Sequence, residues 1–325
     1  MSRRAWWAFA FMSVVWGASY LLIKIAVDGG LPAPDVAWLR VAIAAALLMA
    51  VAWRDGAVGA LRGRWRWIIA YAVAEISIPF PLIAAGEVHV ASSLAAIIIA
   101  SVPLIVALLS LRFDPSERPT PIRAVGLAIG FTGVIALLGL DVAGNGQELL
   151  GAVAILIGAV GYAIGPMLVK LGMGGLDSRA VMGASLVVAT LILAPFAAAD
   201  TPSRTPSAGA FAAVAALGLF CTAIAFVVYT ILIRDAGTGR ATVITYINPL
   251  VAVVLGVTLL GERPGPSALA GLLLILAGSW LATGGMLPPS FSGTRRRRRA
   301  EAADGRAGGH SHAGGSGRTE PMNTV

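Results

Sequence analysis

Glu75 is the residue in this chain best placed to do chemistry. It stands in Ala74-Glu75-Ile76-Ser77, about midway through a long apolar segment. An unpaired carboxylate at such a place is costly, so its presence is a functional hypothesis by default. Two uses fit. The carboxyl can bind and release a proton, or it can hold a cationic group. Pro79 and Pro81 follow within two turns and remove backbone donors. They are expected to break the helix and bare carbonyl oxygens. Arg40, one segment earlier, is the natural companion. It can clamp a substrate carboxylate, for which the guanidinium fork is suited. It can equally neutralise Glu75 in a permanent ion pair.

Other polar groups recur inside the apolar segments. Trp16, Tyr20, Tyr162 and Tyr246 carry polar tips, and Trp16 and Tyr162 lie 146 positions apart. They read either as cavity lining or as ordinary packing. Asn248 precedes Pro249, with Thr245 three residues upstream on the same helical face and Thr242 before it. That face reads as cavity lining or as hydrogen bonding between helices. Ser92, Ser93 and Ser101 form a similar set. Lys24 and Lys170 occupy equivalent places near segment ends, where a lysine snorkels to the interface or takes part in a gate. Pro103 and Pro249 are a matched pair of helix breakers at the same register.

These residues need elements to hold them, and composition says which. Hydrophobic residues make up 58% of the 325 and charged residues 12%. A soluble domain carries about twice that charge. Ten apolar segments run over 5–27, 34–53, 66–86, 90–111, 121–140, 149–170, 178–198, 208–233, 240–261 and 266–287. Each is long enough to cross a bilayer as a helix. Backbone groups find no water in lipid, so helices are required, and the short alternating strands of a barrel are absent. The expected fold is an all-α membrane protein with ten transmembrane helices.

Lys and Arg in the connections orient it. With the N-terminus in the cytoplasm, 20 basic residues fall inside against Arg204 and Arg263 outside. The net charge of +8 owes much to Arg295–Arg299 and other arginines in a Gly- and Ser-rich tail. That tail, 288–325, is expected to be disordered and cytoplasmic and to touch anionic lipid rather than nucleic acid. The N-terminal apolar run is expected to be an uncleaved first span. A single Cys221 and three histidines, two of them in the tail, offer no disulfide framework, no metal centre and no cofactor site.

The segments are also written twice. Glu117-Arg118-Pro119-Thr120-Pro121 returns 145 positions later as Glu262-Arg263-Pro264-Gly265-Pro266. Gly126 and Gly133 return as Gly271 and Gly278, and Gly29-Gly30-Leu31 as Gly174-Gly175-Leu176. Two repeats follow, 1–145 and 146–287. Five spans per repeat is an odd number, so the second repeat enters the membrane upside down. Inverted repeats are a building plan of secondary transporters, with the substrate near the midplane where the halves meet. Gly126, Gly130 and Gly133 form a small-residue stripe suited to close packing, within the fold or across a homodimer.

Taken in order, these motifs resemble the EamA-type members of the drug/metabolite transporter superfamily. Trp16-Gly17-Ala18-Ser19-Tyr20 with Lys24, then Leu39-Arg40, resemble its first two spans. Ala91-Ser92-Ser93, Pro103 and Glu117-Arg118-Pro119 resemble the end of its first repeat. Arg240-Ala241, Asn248-Pro249 and Leu260-Gly261-Glu262-Arg263 resemble the second. Asp114-Pro115-Ser116 departs from the Leu-Gly that the family usually has before this Glu. The resemblance implies a permease of the inner (plasma) membrane, often an exporter of amino acids or related compounds. The expectation is a secondary carrier and not an enzyme, working on a small polar metabolite, with a proton as candidate partner. No Gly-x4-Gly-Lys-Ser/Thr pattern is present to bind a nucleotide. The alternative expectation is a flippase or carrier of a lipid or lipid-linked sugar. Monomer and homodimer both fit.

Overall fold

A computed structural model describes residues 2–113, 120–142, 145–202, 204–237 and 241–283. The Glu117-Arg118-Pro119 loop, Asp114-Pro115-Ser116, Arg240 and the 288–325 tail lie outside the described residues. Within them the chain is helical, with no strand. Eight helices are long and apolar enough to cross a bilayer: α1 (Arg3–Asp28), α2 (Ala33–Arg54), α3 (Trp65–His89), α4 (Ser92–Arg112), α5 (Pro121–Gly139), α6 (Gly146–Gly172), α7 (Ser178–Ala199) and α8 (Ala208–Ala236). Two shorter apolar helices follow, α9 (Ile244–Leu259) and α10 (Pro266–Ala282), of 16 and 17 residues. Each of the ten apolar segments thus becomes a helix. Helix length supports crossing for eight of them.

Local sequence explains the ends. Ser2 caps α1, Thr120 caps α5 and Ser207 caps α8, each accepting from a first-turn amide. Pro121 and Pro266 stand at helix starts, where their missing N–H costs nothing. Inside the helices, proline has the opposite effect. Pro79 cannot donate to the Glu75 carbonyl, nor Pro81 to that of Ser77. The ladder widens instead: Ile78 donates to Val73 five residues back, at 3.0 Å, and Ala72–Ser77 is a π-helical turn. The helix resumes at Pro79. The expected break is therefore a π-turn within a continuous span. Pro103 behaves differently, following a turn at Ala100–Ser101 that divides α4. Its counterpart Pro249 is accommodated inside α9.

A second π-turn, Leu217–Ile224, interrupts α8 at the position equivalent to that in α3. No proline forces it. Thr222 answers it by sending its hydroxyl to the Leu217 carbonyl, also five residues back, at 2.9 Å. The two π-turns stand at corresponding places of the two similar segments of the sequence, and a third π-turn lies at Leu137–Val142.

Helices pair across the repeats. α2 packs along α7, with the Trp38 indole donating to the Thr190 carbonyl at 3.1 Å. α5 packs along α10. At that contact a Cβ on Gly126 would meet the Ala282 amide, and one on Gly278 would meet the Gly130 backbone. The glycine stripe therefore serves packing within the fold. Nothing in such a contact can move aside except a whole helix. Replacing Gly278 by Leu is expected to lower stability by about 1–3 kcal/mol or more through overpacking. Gly209→Ala, at a position with only one atom near the added methyl, is expected to be nearly silent. Thermal unfolding in detergent distinguishes the two, and equal melting temperatures would refute the close-packing assignment.

Candidate functional site

Arg40 is 8% exposed, deep among the helices. Two contacts hold it. Its Nε donates to the Thr222 hydroxyl at 2.9 Å, so the π-turn of α8 positions the arginine of α2. Its guanidinium lies over the Phe80 ring, 4.1 Å from the centroid. Phe80 in turn meets Tyr162 of α6 edge-on, with centroids 6.3 Å apart. Among the described residues no carboxylate approaches within ion-pair distance of Arg40, and its terminal nitrogens donate to no protein group. The outer edge of the fork is left for something else.

Glu75 sits inside the π-turn of α3 and is half-buried. It makes no hydrogen bond and no ion pair among the described residues, and its Oε2 is fully buried without a partner. The carboxyl presses on α6 where Gly165 leaves room: a Cβ there would collide with Oε2. Gly161 gives the same room to the Ala74 carbonyl and to Pro79. Three tyrosines share its electrostatic neighbourhood, Tyr71, Tyr162 and Tyr229. Tyr162 also senses Arg40. Arg40 reaches Tyr162 through Phe80, and no ion pair joins Arg40 to Glu75 among the described residues.

The remaining aromatics form a wall nearby. Trp16 of α1 packs edge-on against Phe226 at 6.1 Å and tilted against Tyr229 at 5.1 Å. Tyr20, one turn beyond Trp16, senses Tyr162, Glu87 and Arg40. The structure thus brings Arg40, Glu75, Tyr162 and Tyr20 into one neighbourhood, with Pro79 shaping the turn and Trp16 reaching it through Tyr229.

The other residues singled out in the sequence have contacts of their own. The Asn248 amide, oriented as a donor, bonds the Ser13 carbonyl of α1 at 3.2 Å and the Ile244 carbonyl at 3.0 Å. It joins two helices, as the packing reading had it. Thr245 turns its hydroxyl to the Thr242 carbonyl at 2.7 Å, and Tyr246 meets Thr283 at 3.2 Å between α9 and α10. Buried Cys221 donates to the Val15 carbonyl at 3.3 Å. Lys170 is exposed at the end of α6. Lys24 does not snorkel freely. Its Nζ donates to the Glu87 carbonyl at 2.7 Å and pairs with Asp28 at 3.4 Å. No group of three or more His, Cys, Asp or Glu that could hold a metal ion occurs among the described residues.

Sequence reading missed three participants. Thr222 and Phe80 are ordinary residue types in apolar runs, and nothing marks them before Arg40 is placed. Glu87 lies one residue beyond the expected third segment, 66–86, whereas α3 continues to His89. Glu87 is 0% exposed.

A fourth feature ties the repeats together. Glu262, before α10, caps the N-terminus of α4. Its Oε1 accepts from the Ser92 amide and hydroxyl, both at 2.8 Å, and its Oε2 from the Ser93 amide at 3.0 Å. The first-turn amides of α4 thereby gain a charged acceptor. The cap borders a cleft of about 360 Å³ lined by His89, Ala91, Glu148 and Arg263 among others. Partial burial pushes the Glu262 carboxyl up, but the bonds from Ser93 and Ser92 outweigh it and hold it below the usual carboxylate range. Its contribution to stability is therefore complete above the ordinary carboxylate pKa and lost as pH falls through the depressed value. Glu262→Gln is expected to lower stability by about 1–2 kcal/mol at neutral pH, since the bonds are charge-assisted but half-exposed. The loss should shrink as the wild type is acidified. A pH-independent difference in melting temperature would contradict the cap.

Comparison with known proteins gives the lineage. Residues 4–139 and 149–284 each match the model of the EamA-like transporter family. The chain is 33% identical over 261 residues to the uncharacterized inner membrane transporter YedA of Escherichia coli (strain K12), covering 77% of this chain and 80% of that protein. It is 29% identical over 285 residues to a probable terminal-alkyne amino-acid exporter of Streptantibioticus cattleyicolor, covering 86% and 93%. A solved crystal structure superposes with a TM-score of 0.61 over 87% of this chain and 97% of its own, at 22% identity, and so shares the fold.

Proposed function

The chain belongs to the EamA-like transporter family, and from that premise we propose that it is a secondary carrier exporting a small polar metabolite such as an amino acid or a related compound. It is a multi-pass membrane protein, and its family is one of transporters. The observation that carries the finer reading is that Arg40 and Glu75 are not paired with each other. A buried ion pair would be a structural device. Two opposite groups left unpaired with each other suit a ligand with both an anionic and a cationic end.

In this reading Arg40 takes the substrate carboxylate through the edge of its fork, since Nε is already committed to Thr222. Glu75 takes the ammonium group or, in the empty carrier, a proton. Trp16, Tyr20 and Tyr162 bound the site. The ten helices act as two inverted five-helix repeats, and exchange of conformation between the repeats opens the site to one side and then the other. Lys24, Lys170, Pro103 and Pro249 lie at positions where such movement would be hinged or latched. The exporter relative supports an amino-acid-like cargo, as a property of that protein extended here by proposal.

The test is a thermal-shift screen of the detergent-purified protein against amino acids, nucleosides, sugars and amphipathic cations at two pH values. A ligand of the folded state raises apparent stability with the logarithm of its concentration over Kd. An amino-acid hit that is lost in Glu75→Gln and changes with pH in the wild type is expected. Stabilisation only by a lipid-linked compound would overturn the reading in favour of a flippase. Arg40→Lys keeps the charge but loses the fork and the Phe80 stack. It is expected to weaken binding of a carboxylate ligand about tenfold to a hundredfold, as loss of a charged hydrogen-bond pair does. Unchanged affinity, read by titration of the hit compound, would remove Arg40 from the site.

A further inference from the structure

A second carboxyl lies deeper than Glu75 and is used by nothing described so far. Glu87, two residues before the end of α3, is 0% exposed, and both carboxylate oxygens are buried without a hydrogen-bond partner. A fully buried, unsolvated carboxylate is among the most costly groups a protein can hold. In this arrangement the side chain is therefore the neutral acid. Yet the means of accepting its charge stands beside it. Lys24 of α1 already donates to the Glu87 backbone carbonyl at 2.7 Å while pairing with Asp28 at 3.4 Å.

We propose that Glu87 is a second proton-carrying group of the transport cycle, distinct from Glu75, and that Lys24 is the cation that receives its charge. The step is a simple one. As the cap loosens and water reaches the carboxyl, the Oε–H bond of Glu87 breaks and the proton passes to that water. Lys24 then turns from Asp28 to the new carboxylate.

The surroundings set the conditions. The charged and titratable groups facing Glu87 are Tyr20, Lys24 and Asp28 from α1, Arg40 from α2, Tyr162 from α6 and Glu262 from the connection before α10. His89 follows on its own helix. Lys24 and Arg40 are its cationic neighbours, and Asp28 and Glu262 its anionic ones. Glu262 matters most for movement, because it is the cap that ties the second repeat to the start of α4. A charge appearing on Glu87 repels that anion and admits water to the adjoining cleft. Proton loss and loosening of the cap then belong to one event. This deepens the carrier reading and rests on it: Glu75 contacts cargo, and Glu87 couples the proton to the opening of one side.

The experiment needs no transported compound. In full-length protein carrying Cys221→Ser, Ala91→Cys places a thiol at the cleft beside the cap. Its rate of reaction with a water-soluble maleimide is followed against pH, with the same protein carrying Glu87→Gln as reference for the pH dependence of the label itself. The ratio of the two rates is expected to rise with pH, by up to about tenfold per unit across the titration. A ratio that stays flat overturns the proposal. Should Glu87→Gln not fold, Lys24→Gln in the parent background removes the receiving cation and is expected to flatten the response. A response equal to the parent's overturns the proposal equally. A failed ligand screen would count against the carrier reading and is a separate outcome from either of these.

Discussion

A charge inside a bilayer has no water to fall back on, and the interior of this bundle is arranged around that constraint. Three of its ions are answered by different devices. Arg40 has a hydroxyl and an aromatic face. Lys24 has a backbone carbonyl and an aspartate one turn away. Glu262 has the amides of a helix N-terminus. Two carboxyls, Glu75 and Glu87, have no hydrogen-bond or ion-pair partner among the described residues.

The backbone makes this possible. Prolines 79 and 81 deny two carbonyls their donors, and the resulting π-turn sets the Glu75 carboxyl against Gly165 of α6. The matching π-turn of α8 presents Thr222 to Arg40. The repeat thus keeps its geometry while its chemistry has diverged. One copy of the turn carries an acid, and the other carries Cys221 and a hydroxyl next to it. Glycines do the complementary task of bringing helices close enough that these groups meet, most tightly between α5 and α10.

Much of this is legible in the residues themselves. Hydropathy locates all ten helical segments, because a span must be apolar along its whole length. Arg40 and Glu75 stand out for the same reason, since any ion in such a span is conspicuous. What sequence does not carry is who meets whom. Arg40 and Thr222 are 182 positions apart. Only the folded chain shows that the arginine is satisfied there rather than by Glu75. Asn248 reads from the sequence as cavity lining or as an interhelical bond, and the partner of that bond, the Ser13 carbonyl of α1, appears only once α9 is placed. Glu87 escapes because an acid at the edge of an apolar run looks like the start of a loop. Crossing by the two short helices also cannot be judged from apolar runs alone, since the helix ends sooner than the hydrophobicity does.

The central claim is that Arg40 and Glu75 are held as separate groups, not as a structural ion pair. A double-mutant cycle on folding stability tests it directly, using Arg40→Gln, Glu75→Gln and the double variant in the absence of ligand. Groups that do not interact give additive effects, within about 0.5 kcal/mol. The structure predicts additivity of that order. A coupling of about 3 kcal/mol, as expected when one partner of a buried pair is stranded, would contradict it.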